Sequence, residues 1–116
     1  YMDDELEGTT LVGEVFLYDS GEIVLELIGR SSSPELKVLV NGDEACSFTS
    51  SVISVKVKNG DVLELDGSGL DEQLEVKVLS KSENIRSDFV NKKFSVKSGI
   101  RRIGKVRVKQ EKQLNV

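Results

Sequence analysis

Residues 53–65 read Ile53-Ser54-Val55-Lys56-Val57-Lys58-Asn59-Gly60-Asp61-Val62-Leu63-Glu64-Leu65. Apolar and polar residues alternate up to Asn59-Gly60 and then resume, a period of two that sets Ile53, Val55 and Val57 on one face of a strand and Ser54, Lys56 and Lys58 on the other. Asn-Gly supplies the two positive-φ residues of a type I′ turn, so the stretch predicts a hairpin. Immediately upstream, Leu36-Lys37-Val38-Leu39-Val40 is followed by Asn41-Gly42 and by a return strand over 44–48, a second hairpin of the same kind.

The alternation extends in both directions. Downstream of the Gly-rich segment Asp66-Gly67-Ser68-Gly69, Leu74-Glu75-Val76-Lys77-Val78 alternates strictly, and strands are expected again at 94–96 and 104–109. Upstream, residues 11–17 and 23–27 read as strands joined by a turn at Asp19-Ser20-Gly21-Glu22. Residues 82–91 carry Ile85, Phe89 and Val90 at roughly helical spacing, enough for a helical turn or a loop but too few for a long helix. Pro34, the only proline, reads as a loop crossing between two sheets.

About nine short strands with frequent turn signals predict an all-β fold, an immunoglobulin-like or related sandwich of seven to nine mainly antiparallel strands. The alternation runs without a gap wide enough to separate two cores. The expected organisation is therefore an acidic, frayed segment over 1–9 and one sandwich domain over 10–116. The expected core is Leu11, Val15, Leu17, Ile23, Leu25, Leu27, Leu36, Val38, Val40, Ile53, Val55, Val57, Leu63, Leu65, Leu74, Val76, Val78, Phe94, Val96, Val106 and Val108.

Across residues 36–78 the order of strand, Asn-Gly hairpin, strand and "VKVKNGDVLELDG" resembles the short immunoglobulin-like modules of Gram-positive bacterial surface proteins. The resemblance implies a sandwich in a cell-envelope protein, extracytoplasmic or at the cell surface. The Cys pair and Trp of antibody-type domains are missing, so only the general class carries over. RNA-binding ribosomal hairpin modules and sulfur-carrier β-grasp proteins contain a similar "VNG…GDVLEL" string, but both place helices where residues 8–40 are strand-like. The sulfur carriers also end in Gly-Gly, whereas this chain ends Leu114-Asn115-Val116.

Composition narrows the chemistry. The chain has 116 residues, no His and no Trp, and Cys46 is its single cysteine, so no intramolecular disulfide forms and a zinc site would need an unusual set of ligands. No apolar stretch approaches the ~20 residues of a membrane helix. Without His, acid–base and nucleophilic catalysis lack their usual residues, and no enzyme, cofactor or metal is assigned. Cys46, in phase with Phe48, reads as a core thiol, and Ser50-Ser51 as loop chemistry. Residues 66–72 hold oxygen side chains that suit calcium, yet a plain turn whose glycines permit positive φ explains them. Phe16 and Tyr18 are expected to pack under a loop rather than to stack on sugars. Residue 1 is Tyr rather than Met, which suggests an excised piece of a longer chain.

The net charge of −4 hides a division along the chain: residues 1–80 hold 17 Asp+Glu and 5 Lys+Arg, whereas 81–116 hold 3 and 11. On the last expected strand Lys105, Arg107 and Lys109 share one face, Val106 and Val108 the other. Lys93 and Lys97 repeat the pattern around Phe94 and Val96, and Arg101 and Arg102 lie between. These seven residues are the candidate face for an anionic partner. The competing reading is an edge strand guarded by cations against sheet-to-sheet aggregation. The expected role is a non-catalytic binding or structural module of a bacterial cell-envelope protein, with a protein or an envelope polymer as partner. The alternative is a cytosolic regulator or binder of nucleic acid, an anionic polymer or lipid headgroups through the basic face. Nucleic acid is disfavoured by the acidic balance and by the lack of aromatics for base stacking.

Overall fold

The computed structural model describes residues 20–109, where eight strands form two sheets and no helix occurs. They are β1 (Ser20–Ile28), β2 (Ser33–Val40), β3 (Asp43–Phe48), β4 (Val52–Lys58), β5 (Val62–Asp66), β6 (Leu74–Lys81), β7 (Lys93–Val96) and β8 (Ile100–Lys105). One sheet has the order β4-β1-β6-β7, the other β3-β2-β5-β8, and all pairings are antiparallel. The all-β sandwich expected from period-two patterning is the observed architecture. The strand expected at 11–17, Phe16 and Tyr18, and the division between residues 9 and 10 lie outside the described residues.

The core follows the alternation. Ile23, Leu25 and Leu27 of β1 face Leu36 and Val38 of β2 across the sandwich with Val55, Val57, Leu63, Leu65, Val76 and Val78, all buried. Each such side chain contributes roughly 1.5–3 kcal/mol by leaving water. Val40 and Ile53, expected inside, are only half-buried against this cluster, while Phe48, Ile85, Phe89 and Ile103 are buried without having been in the expected core.

Several local expectations are corrected. Asn41 (φ 56°) and Gly42 (φ 86°) make the β2–β3 hairpin turn as expected. Asn59-Gly60, however, does not close a ladder between β4 and β5, because β4 pairs with β1 and β5 with β2. Only Gly60 takes positive φ (92°), and Asp61 N–H donates to Lys58 O at 3.1 Å, so the turn carries the chain from one sheet to the other. Asn41 locks the two turns together: its Nδ2 donates to Asp61 Oδ1, and its Oδ1 accepts from Val62 N–H, both at 2.9 Å. Ser20, Gly21 and Glu22 are not a turn but the start of β1, opposite Lys58, Val57 and Lys56. Pro34 lies inside β2 rather than in the crossing loop; the β2–β3 ladder jumps from Ser33 to Lys37, so the missing N–H of proline falls where no partner is needed. The last strand is Ile100–Lys105, not 104–109.

Neither glycine of the 66–72 segment takes positive φ, and Gly67 is required for space. A Cβ on Gly67 would stand 2.6 Å from Val96 Cγ2 and 3.1 Å from Leu70 Cδ1, and its N–H donates to Gly99 O at 2.7 Å. Gly67→Ala is expected to cost about 1–3 kcal/mol by overpacking, seen as a lower denaturant midpoint. Gly69→Ala is the control: its nearest neighbour would be Glu35 Cβ at an ordinary 3.6 Å, and the midpoint should hardly move.

Candidate functional site

Beyond β8 the chain stays extended through residue 109, with Val106 and Val108 buried and Lys105, Arg107 and Lys109 exposed. This run is bonded along both flanks. On one side Gly60 N–H donates to Val106 O (2.8 Å), Val106 N–H to Asp61 O (2.7 Å) and Val108 N–H to Asn59 Oδ1 (2.9 Å). On the other, Arg86 N–H donates to Arg107 O and Lys109 N–H to Asn84 O, both at 2.7 Å. Ser87 Oγ completes that side by accepting from Arg107 N–H (2.8 Å) and donating to Lys105 O (2.9 Å). Ile85 bridges Val108 in antiparallel sense, with both side chains turned inward.

The covering segment is itself tied down. Ser82 N–H donates to Glu22 O (2.9 Å), Glu22 N–H to Ser82 Oγ (2.7 Å), Asn84 Nδ2 to Ser20 O (2.6 Å) and Lys81 Nζ to Ile85 O (2.6 Å). Gly21 leaves the room that buried Ile85 occupies: a Cβ there would lie 2.8 Å from Ile85 Cδ1. Of the helical turn or loop expected within 82–91 the structure forms a loop: Ile85 N–H donates to Ser82 O (3.1 Å) and Lys92 N–H to Phe89 O (3.2 Å) in turns at its two ends, and residues 84–87 between them run extended along residues 105–109.

Antiparallel register sets Arg86 directly opposite Arg107, both exposed. With Ser87, Asp88, Phe89 and Lys105 they line an open depression of about 530 Å³. The ion pairs among described residues are Arg30–Glu72 and Lys37–Glu44, so no described acid lies within ion-pair distance of Arg86, Lys105, Arg107 or Lys109.

Of the other four candidates, Lys93, Lys97 and Arg101 do not join this face, whereas Arg102 shares β8 with Lys105. β7 and β8 are edge strands of different sheets and do not pair, which corrects the expectation of one continuous basic surface. Lys93 stands opposite Lys77, and Lys97 sits in the β7–β8 connection. Arg101, opposite Leu65, places its guanidinium 5.6 Å from the Phe94 ring centre and donates from Nη1 to Ser95 O at 3.3 Å, so it bridges the two sheet edges. Arg102 lies opposite Glu64 across the β5–β8 ladder. Arg86 was missed by sequence reasoning. The only hint was a brief alternation, Ile85 inward and Arg86 outward, within a segment read for helical spacing.

The remaining candidates are engaged in local contacts. Asp66 accepts from Ser68 Oγ and, at 2.9 Å, from Ser68 N–H, and the Ser68 hydroxyl above all holds its carboxyl below the usual range. Glu72 is paired with Arg30, and among the described residues no three acidic or cysteine side chains gather as a metal site. Ser50 Oγ donates to Val52 O within its loop. Cys46 is half-buried; burial first and the Glu44 carboxylate second push its thiol up. Alkylation of Cys46 should therefore be slower than that of an exposed cysteine, with its pH–rate curve displaced to higher pH; an activated thiol would show the reverse displacement.

No helix among the described residues is long and apolar enough to cross a membrane. Comparison with family models, with curated proteins and with solved structures finds no match to this chain.

Proposed function

We propose that the protein is a non-catalytic binding module that takes an anionic partner on the face formed by Lys105, Arg107, Lys109 and Arg86. The observation that carries this reading is the pairing of residues 105–109 on both flanks. Cations that guard a sheet against aggregation are needed where a strand edge is open. Here the edge is already covered by residues 84–87, and the side chains project from a paired surface with no described acid within ion-pair distance, Asp88 being the acid that shares their depression. Lys93 and Arg102, on the edge strands β7 and β8, fit the guarding role instead.

The setting proposed is the bacterial cell envelope, with an anionic envelope polymer as partner, and it is supported by the resemblance of residues 36–78 to immunoglobulin-like surface modules. Nucleic acid fits less well, since among the described residues no exposed aromatic accompanies the cationic face for base stacking. The test is a titration of the protein with a soluble polyanion such as heparin. Binding should be measurable at low salt and fall steeply towards physiological salt as counterion release loses its drive. Absence of binding even at low salt would sink the proposal.

A further inference from the structure

We infer that Arg86 and Arg107 together form a subsite for a single phosphomonoester group, an inference that rests on the anionic-partner reading and narrows it. Like charges directly opposite each other across a ladder destabilise it. A lysine pair could relieve such a conflict by losing a proton, but guanidinium groups stay charged. The register nevertheless sets Arg86 against Arg107, with Lys105 lining the same depression and no described acid within ion-pair distance. An anion seated between the two guanidinium groups converts this repulsion into attraction.

The number of donors selects the anion. Each guanidinium presents a planar fork that matches two oxygens. A carboxylate carries a single charge on two coplanar oxygens, and one fork engages both of them, leaving the second arginine only the remaining lone pairs in that plane. A phosphomonoester carries three terminal oxygens and a charge of about −1.5 to −2 at neutral pH, so it can accept from both forks while Lys105 adds a point charge. The backbone that carries the arginines is held in place. The Ser87 hydroxyl is used internally, accepting from Arg107 N–H and donating to Lys105 O, and Phe89 is buried beneath. Asp88, on the same lining, disfavours a second anionic group beside the first.

The experiment is an NMR titration at low salt with methyl phosphate, methyl sulfate and acetate, run on the wild-type protein and on R86K and R107K, with retention on a heparin column measured in parallel. Methyl phosphate should perturb the amides of Arg86 and Arg107 and bind at least about tenfold more tightly than acetate, because its third oxygen and larger charge engage the second fork as well. Each lysine variant should lose about tenfold in methyl phosphate affinity while keeping its heparin retention, because the charge is retained and the fork is not. Equal binding of acetate and methyl phosphate, or lysine variants that bind methyl phosphate like the wild type, would overturn the subsite and leave the general anionic reading standing if heparin retention persists. Loss of both heparin retention and methyl phosphate binding in the wild type would overturn the two together.

Discussion

Phe48→Ala is expected to destabilise the protein by about 3–5 kcal/mol, the range for truncating a buried phenylalanine. Phe48 ends β3 and stands opposite Ser33, the one buried polar residue. It heads the fully buried side chains by volume, with 0% of its surface exposed. Although β3 is an edge strand, its last residue turns inward where the chain is about to cross to β4, so truncation would leave a void that the surrounding β-branched side chains fill poorly. A single domain holds only about 5–15 kcal/mol of stability, so the melting temperature should fall by more than about 10 °C. Val52→Ala, at a position 45% exposed, is the comparison and should stay within about 1 kcal/mol of wild type. Equal losses at the two positions would mean that the assigned core is wrong.

Reversing Lys105, Arg107 and Lys109 to Glu should remove polyanion binding altogether, a loss of at least about a hundredfold at low salt, since attraction by three charges becomes repulsion by three. Thermal stability should change by no more than about 1–2 kcal/mol, because exposed charges contribute little to folding individually. The backbone bonds that hold residues 105–109 on both flanks are untouched by these substitutions, and Val106 and Val108 keep their buried places. A variant that stays tightly bound to heparin would contradict the proposed face. A variant that aggregates while its binding is unchanged would restore the edge-guarding role to these residues.

The fold was legible wherever one face of a strand is buried, because period-two alternation then records the fold directly: Ile23, Leu25 and Leu27, or Val55 and Val57, could be assigned inward from sequence alone. What alternation does not record is which strands pair. Asn59-Gly60 has the composition of a hairpin turn, yet its strands join different sheets, since β1 and β2 compete for them as partners. Composition misled again at residues 20–22, where a ladder with β4 overrides the turn propensity of Ser-Gly. The turn expected at 66–69 does form, closed by Leu70 N–H donating to Gly67 O at 3.0 Å, but without positive φ, and Gly67 answers to the side chains of Val96 and Leu70.

The candidate face was legible in part for the same reason. Lys105, Arg107 and Lys109 were placed together by their spacing along one extended run, which needs no knowledge of the partner strand. Arg86 joins them through a pairing about 20 residues distant, and Lys93 separates from them because β7 and β8 belong to different sheets. Those relations are tertiary and leave no periodicity behind.

The central claim is that residues 105–109 form a paired surface whose cations meet an anionic partner. Its most direct test is the salt dependence of heparin binding, plotted as log K against log salt concentration for the wild-type protein and for the triple charge reversal. Four cations releasing roughly 0.7–0.9 counterions each predict a wild-type slope of about −3, with no measurable binding by the reversed protein. A wild-type slope near zero, or the same slope in both proteins, would contradict the account.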